Sequence, residues 1–237
     1  MLNSYILLDL ETTGLSAKED AIIEIGALKV VDGKIVDKIE TFINPARKIP
    51  HRITEVTGIN DEMVENAPYI AEVIADVVKF LQGFTIIGHN VMFDYSFLKR
   101  TAVNHKYTLE TKVIDTLKIS RQLLTDLPKK SLEYLCNHFG IKDENHHRAI
   151  NDAYVAGELY KLLCNEYEEN NPDVFEPKEA IYKVKKESPV TKKQAEWLKA
   201  LVAYHNIQID YDIDKLTKNS ASRYIDKILA TYGRCPK

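Results

Sequence analysis

The sequence predicts an α/β protein in which helices flank a mixed sheet, followed by a small C-terminal helical module. Two segments rich in Ile and Val, residues 21–31 and 34–43, are separated by Asp32-Gly33, a strong signal for a β-hairpin. After this hairpin, short apolar runs alternate with segments whose apolar residues recur at helical spacing. A stretch punctuated by prolines then precedes two more amphipathic segments.

The individual elements follow from local patterns along the chain. Residues 5–10 form a short apolar run that ends in acidic residues, which predicts a central strand. Within Pro68–Leu81 the apolar residues recur at helical spacing, and Gly83 suits the end of that helix. The remaining predicted elements are a strand at 85–88, a helix from about 93 to 103, a strand near 113–114, a helix at 131–140 and a long helix at 149–167.

Length and composition indicate the broad class of protein. A chain of 237 residues can bury one domain of ordinary size plus a small appendage. No apolar run approaches the roughly 18 residues needed to span a bilayer, so we expect no membrane partner and a cytoplasmic location. The first residues lack the basic start of a secretory signal. The three cysteines lack paired spacing and predict neither a disulfide framework nor a zinc site.

We expect a main domain at 1–170, a linker at 171–189 and a small basic helical module at 190–237. Charge is divided unevenly between the two ends of the chain. Residues 178–237 carry 13 Lys and Arg against 7 Asp and Glu, a net charge of +6, whereas residues 1–177 have a net charge of −9. The basic tail suits either a solvated helical surface or attachment to a phosphate backbone.

The sharpest chemical feature is Asp9-Leu10-Glu11 at the end of the first predicted strand. Because side chains alternate along a strand, the two carboxylates share one face. A cation relieves their repulsion, and hard ions such as Mg²⁺ prefer oxygen ligands. Taken alone, however, such a pair is more often plain surface charge.

A polar turn, Thr12-Thr13-Gly14, follows these carboxylates. Gly14 is expected to let a substrate approach the backbone, and Leu15 would be an apolar residue at the mouth of the site. The two threonines suit ordinary turn chemistry equally well.

The second chemical feature is Asp94, which lies near the start of a predicted helix, where it can also act as a cap or dipole partner. His89 and Asn90 are expected to shape the turn before this helix. Asp115 could be taken for another metal ligand, but we expect it to cap the helix that begins at Thr116.

The third feature lies at the entry to the last long helix of the main domain. His147 stands in the preceding loop, five residues before Asp152. This spacing does not stack two side chains on one helix face, but it lets a loop histidine and a first-turn aspartate converge on one site.

In their order and separation, Asp9-x-Glu11, Asp94 and His147-x-Ala149-x-x-Asp152 resemble the three motifs of the DEDDh exonucleases. This DnaQ-like family includes the proofreading epsilon subunit of bacterial DNA polymerase III, the exonuclease region of PolC and ribonuclease T. The resemblance covers about residues 3–167, and all five essential positions keep the family's residues. It implies a ribonuclease H-like fold, with a mixed sheet of about five strands and helices on both sides.

The resemblance also implies an activity: 3′→5′ hydrolysis of DNA to nucleoside 5′-monophosphates, in replication, proofreading or repair. Two divalent metal ions, Mg²⁺ or Mn²⁺, would be held by four carboxylates, those of Asp9, Glu11, Asp94 and Asp152. His147 would act as general base. The substrate-binding residues would be Thr12, Thr13, Gly14 and Leu15. The implied partners are single-stranded or frayed 3′ ends of DNA and a DNA polymerase.

Two alternatives stay open on the sequence alone. An exoribonuclease that trims RNA 3′ ends would share the same motifs, since none of them reports contacts to the 2′-hydroxyl. A non-catalytic nucleic-acid-binding subunit of a polymerase would be expected to lack one of the five residues, and none is lost.

Overall fold

In a computed structural model of the chain, residues 1–142, 148–184, 188–209 and 211–234 are described, and the chain divides into two compact units, Met1–Val184 and Lys185–Lys237. The strands of the first unit are Tyr5–Thr12 (β1), Ile22–Val31 (β2), Lys34–Phe42 (β3), Ile86–Gly88 (β4), Lys112–Asp115 (β5) and Lys178–Glu179 (β6). Its helices are His51–Thr57 (α1), Asp61–Val64 (α2), Ile70–Leu81 (α3), Val91–Asn104 (α4), Thr116–Leu123 (α5), Leu132–Phe139 (α6) and Ala149–Tyr167 (α7).

The six strands form one mixed sheet in the order β3-β2-β1-β4-β5-β6. β1, β2 and β3 pair antiparallel, β4 and β5 join in parallel, and β6 closes the far edge antiparallel. The β2–β3 turn has positive φ at both Asp32 and Gly33, which is the backbone that a two-residue hairpin requires. The predicted α/β class and ribonuclease H-like fold are confirmed, but the predicted number of five strands is one too few.

Side-chain alternation along β1 separates two apolar layers. Ile6, Leu8 and Leu10 pack in the core on the α3 and α4 side. Tyr5 and Leu7 pack in the core on the α7 side. Asp9 and Glu11 follow Tyr5 and Leu7 at alternate positions of β1, so all four side chains lie on one face of the sheet. The two carboxylates therefore share a face, as predicted, and it is the face that α7 covers.

The start of α7 lies directly against the sheet. A Cβ atom at Gly26 of β2 would meet the backbone of Ala149 and Ile150 at 2.2 Å, so only glycine permits this approach. Gly26 is paired with Asp9 in the β1–β2 register. The first turn of α7 is therefore held beside the carboxylate end of β1.

The predicted linker at 171–189 is wrong over most of its length. Residues Pro172–Val174 form a 3-10 turn, Phe175 and Ala180 are buried, and β6 pairs with β5. The stretch up to Val184 therefore belongs to the first unit. The sequence suggested a linker because prolines interrupt this stretch and because a two-residue strand and a single turn are too short to produce a periodic pattern.

The second unit contains two helices, Lys192–Tyr204 (α8) and Lys218–Tyr232 (α9), around a small apolar core. Thr191 and Thr217 cap the helices by accepting bonds from the backbone N–H groups of Gln194 and Ser220. None of the helices that the structure describes is long and apolar enough to cross a membrane.

Candidate active site

Three carboxylates meet where β1 ends and α7 begins. Asp9 and Glu11 come from the last part of β1, and Asp152 comes from the first turn of α7. Each offers a carboxylate oxygen, and these oxygens lie within 4.8 Å of one another. The three carboxylates that the resemblance implied as metal ligands at these positions lie together, and they could hold a metal ion.

Asp94 of α4 lies beside the same strand end. Its Oδ1 accepts a hydrogen bond of 3.1 Å from the backbone N–H of Leu10, and the residue is only 3% exposed. This bond ties the first turn of α4 to β1 between Asp9 and Glu11. The three residues whose oxygens lie within 4.8 Å of one another do not include Asp94. Asp94 lies next to that cluster, through its bond to Leu10.

The electrostatics of the cluster favour protonation in the absence of a cation. Burial raises the pKa of Asp9 well above its ordinary value, and the charges of Asp94, Asp152 and Glu11 raise it further. Burial and the Asp152 charge raise the pKa of Glu11 to about 7. Burial also raises the pKa of Asp94, against the hydrogen bond from Leu10. A bound cation would hold these carboxylates in the ionised form.

Sequence reasoning missed a buried pair beside the cluster, Glu24 and Arg148. Glu24 of β2 faces Glu11 in the register. Its Oε2 accepts bonds from the N–H of Ala149 at 3.2 Å and from Nη1 of Arg148 at 3.3 Å. Arg148 also donates through Nη2 to the carbonyl of Thr57 at 2.9 Å.

Glu24 thus satisfies a free N–H at the start of α7 and fixes Arg148, which immediately precedes the helix. Burial raises the pKa of Glu24, while the Ala149 N–H and the Arg148 guanidinium lower it. The signal in the sequence was one acidic residue among the apolar residues at the start of β2. Acidic side chains are almost never fully buried unless their charge is paired.

The predicted substrate-binding turn is built by its own hydrogen bonds. Thr12 donates from Oγ1 to the carbonyl of Gly14 at 2.7 Å, and Thr13 Oγ1 accepts from the N–H of Ala21 at 2.9 Å. Gly14 also leaves room for the Asp20 carboxylate, because a Cβ at Gly14 would lie 2.5 Å from it. Leu15 projects from this turn and is 84% exposed.

The turn between β4 and α4 is held by polar contacts away from the carboxylates. His89 Nδ1 hydrogen-bonds with Thr116 Oγ1 at 2.9 Å, and its Nε2 with the Lys130 carbonyl at 2.8 Å. Asn90 has a left-handed backbone with φ of 69°. These contacts confirm that His89 and Asn90 shape the turn.

Asp115 caps α5, as predicted: its side chain accepts bonds from the N–H groups of Leu117 and Lys118. Its Oδ1 also accepts from the N–H of Asn90 at 2.9 Å. His147, the predicted general base, lies in 143–147, outside the described residues.

A ribonuclease H-like sheet with a carboxylate cluster at the end of β1 is the arrangement of a nuclease. The chain belongs to the exonuclease family, whose model matches residues 6–160. The family model thus covers the cluster, Asp94 and the whole sheet except β6.

The chain is similar to PolC-type DNA polymerase III from several bacteria. It is 41% identical over 167 residues to the protein of Clostridium perfringens, covering 70% of this chain and 12% of that one. It is 41% identical over 161 residues to the protein of Bacillus subtilis, covering 66% of this chain and 11% of that one. The chain therefore spans only about an eighth of the length of these relatives.

Solved structures of DnaQ-like exonucleases share the fold. Exonuclease X in complex with 5′-overhanging duplex DNA is 27% identical with a TM-score of 0.57, covering 72% of this chain and 98% of that chain. Escherichia coli exonuclease I in its single-stranded DNA complex is 18% identical with a TM-score of 0.65, covering 73% and 42%. The second likeness concerns the fold alone.

Proposed function

We propose that this protein is a DEDDh exonuclease that removes nucleotides from the 3′ end of DNA and releases nucleoside 5′-monophosphates. The observation that carries the proposal is the meeting of Asp9, Glu11 and Asp152, with carboxylate oxygens within 4.8 Å, inside the part of the chain that matches the exonuclease family. Asp94, tied to the backbone of Leu10 beside them, supplies the fourth carboxylate.

The donor set suits two divalent ions, Mg²⁺ or Mn²⁺. Carboxylate oxygens are the ligands that hard cations prefer, and the repulsion within this cluster is relieved when a cation binds. Asp9, Glu11 and Asp152 would hold one ion, and Asp94 with Asp9 would hold the other. When bound, such ions activate water and neutralise charge on the phosphodiester oxygens.

His147 acts in this proposal as the general base. An imidazole titrates near neutral pH and can accept the proton of the attacking water. The residue that follows it, Arg148, is held by Glu24 and by the carbonyl of Thr57. Asp152 follows His147 by five residues in the sequence and lies on the first turn of α7.

Recognition of a 3′ end is assigned to the turn after β1. Its backbone is ordered by the hydrogen bonds of Thr12 and Thr13, so it can receive a terminal hydroxyl without rearranging. Leu15 projects from this turn, and an apolar side chain with 84% exposure is available to pack against a terminal base. Contacts of this kind are tolerant of sequence.

The choice of DNA rests on the relatives and on the solved neighbour of higher identity. The relatives are DNA polymerases of the PolC type, and exonuclease X was solved with overhanging duplex DNA. A role in proofreading, repair or replication, with a DNA polymerase as partner, follows from the same relatives.

The test is digestion of DNA and RNA oligonucleotides labelled at the 5′ or the 3′ end, in the presence of Mg²⁺. We expect the 5′-labelled DNA to shorten stepwise, the 3′ label to leave as a mononucleotide, and Asp9→Asn to abolish both. Release of the 5′ label as a mononucleotide, or internal cutting, would contradict the polarity. Faster shortening of RNA would assign the enzyme to RNA ends instead.

A further inference from the structure

The second unit presents aromatic side chains on the exposed side of α8. Four residues recur at i, i+4, i+7 and i+11 and so share one helix face: Lys193, Trp197, Ala200 and Tyr204. Trp197 is 49% exposed and Tyr204 is 55% exposed. The apolar core of the unit takes the other side of α8, with Ala195, Leu198 and Leu201.

A different side of the helix pair is covered by the unit's own connecting segment. Lys199 of α8 bonds to the carboxylate of Asp214 at 2.7 Å, and the ring of Tyr211 stacks on Tyr224 of α9 at 4.1 Å. The Lys199–Asp214 contact lies on a side of α8 about a third of a helix circumference away from Lys193. The face with Trp197 remains open to solvent.

The second unit, which carries this open face, has a positive net charge. Residues 185–237 carry 11 Lys and Arg against 6 Asp and Glu, a net charge of +5. Lys193 lies on the face itself, and Lys218 begins α9 beside it, since the Lys218 carbonyl accepts a bond of 3.1 Å from Gln194 Nε2. Both lysines are exposed.

Aromatic rings flanked by lysines match the chemistry of single-stranded nucleic acid. Unpaired bases stack on such rings, and their phosphates attract ammonium groups. A duplex keeps its base faces stacked internally. Protein interfaces, in contrast, are depleted in lysine. The charge around Trp197 therefore favours a single strand over a protein partner.

We propose that the α8 face, defined by Lys193, Trp197, Ala200 and Tyr204, binds single-stranded DNA. Bases stack on Trp197 and Tyr204, while Lys193 and Lys218 attract the phosphates. The choice of DNA rests on the proposed exonuclease function, but the binding itself requires no cleavage. The face would hold the strand that the first unit shortens.

The chain has a single tryptophan, so tryptophan emission, excited selectively over tyrosine, reports on this face alone. The experiment uses the full chain with Asp9→Asn in EDTA, so that the strand stays intact. Titration with oligothymidylate should quench the Trp197 emission in a saturable manner, and the affinity should fall as salt rises. Oligouridylate serves as the RNA arm.

Variants separate stacking from general attraction. Trp197→Ala should raise the Kd for a 5′-labelled strand, measured by anisotropy, about tenfold, which corresponds to ~1.4 kcal/mol. Trp197→Phe should recover most of the affinity. Tyr107→Ala, which removes a 41% exposed aromatic of the first unit, should leave the Kd unchanged. Lys193→Glu should weaken binding more than Lys192→Glu, its neighbour off this face.

The results distinguish single-stranded DNA from RNA and from a second copy of the chain as the occupant of the α8 face. Equal Kd values for Trp197→Ala and the parent, with equal melting curves, would overturn the proposal. A Trp197 emission that changes with protein concentration but not with added oligonucleotide, together with sedimentation as a dimer, would show that the face is an interface between copies of the chain and would overturn the proposal. Tighter binding of oligouridylate would overturn the choice of DNA. Binding without cleavage by the wild-type chain would overturn only the exonuclease function.

Discussion

Among the single residues, Asp9 carries the strongest conflict between function and stability. Burial and the charges of Asp94, Asp152 and Glu11 all raise its pKa. The same carboxylates that suit a cation repel one another without it, so ionisation of the cluster costs folding free energy. A site of this kind is expected to gain stability when one of its charges is removed.

The stability of the metal-free protein should therefore fall as pH rises. The folded-state pKa of Glu11 is about 7, above its ordinary value of 4.5, so the folded protein binds more protons than the unfolded chain between these values. Stability is present below this window and is lost as pH rises through it. Melting in EDTA should show a lower Tm at about pH 8 than at about pH 5.

Two comparisons control this prediction. Asp9→Asn should raise the Tm at about pH 8 in EDTA, with ~2–4 °C for each kcal/mol of repulsion removed. Mg²⁺ should raise the wild-type Tm more at the higher pH, where its ligands are ionised, and should leave Asp9→Asn almost unchanged. A wild-type Tm that rises with pH in EDTA would show that the carboxylates do not repel in the folded state.

Leu15 offers a prediction about end recognition. Its side chain is 84% exposed, so Leu15→Ala should leave the Tm unchanged. Loss of an apolar contact with the terminal base should raise KM about fivefold, equivalent to ~1 kcal/mol. Val36→Ala, at a 57% exposed residue of β3, is the matched control and should leave KM unaltered. Unchanged KM and turnover in Leu15→Ala would remove the assigned role.

At the scale of elements, the approach of α7 to β2 positions Asp152. Gly26 permits contact with the backbone of Ala149 and Ile150, and Glu24 accepts the N–H of Ala149. Asp152 then projects towards Asp9 from the first turn. The carboxylate cluster thus depends on how one helix start packs on one strand.

Gly26→Ala should separate these elements. The new Cβ would lie 2.2 Å from backbone atoms that cannot move independently, so we expect a loss of ~1–3 kcal/mol in stability and weaker Mn²⁺ binding. Gly157→Ala, further along α7, meets only the Leu7 side chain at 2.4 Å and should lower stability without changing the Mn²⁺ affinity. Calorimetric titration with Mn²⁺ measures the difference. Equal affinities in both variants would contradict the positioning role.

How far an element could be predicted depended on its length and periodicity. The helix at Ala149–Tyr167 was predicted at its observed bounds, because 19 residues provide a long periodic pattern. α1 and α2, with seven and four residues, are too short for such a pattern and were missed. β6 depends on the free edge of β5, which no local sequence contains.

The candidate site was predictable where its residues formed motifs. Asp9, Glu11 and Asp152 were found because their spacing and order carry information, whereas Glu24 belongs to no spaced motif. Its partner Arg148 lies 124 residues away along the chain, so only the fold brings the pair together. The close approach of the Asp20 carboxylate to Gly14 was not predicted for a related reason, since Asp20 belongs to no spaced motif.

For the whole molecule, the division into two units predicts where the chain can be cut. The first unit ends at Val184 and includes β6. Removal of residues 185–237 should therefore leave the Tm of the first unit unchanged. Removal of residues 178–237 should lower its stability by ~2 kcal/mol, since it deletes the β6 pairing and the buried Ala180.

Thermal unfolding followed by circular dichroism compares the two truncations. The protein that lacks residues 185–237 should also lose affinity for long single strands. It should keep its turnover at saturating DNA, because its carboxylate cluster is intact. Identical melting of both truncated proteins would show that residues 178–184 add nothing to the first unit.

The most direct test of the metal-dependent carboxylate site is the rate of nucleotide release from single-stranded DNA by three proteins, measured after chelation and again after excess Mg²⁺. The proteins are the wild type, Asp152→Asn and Asp76→Asn, a control that removes an exposed carboxylate of α3. We predict that Mg²⁺ restores the wild type and Asp76→Asn equally. Asp152→Asn should stay about a hundredfold slower or more, exceeding the usual effect of losing an outer-shell partner. Release that persists in chelator, or full activity of Asp152→Asn, would contradict the account.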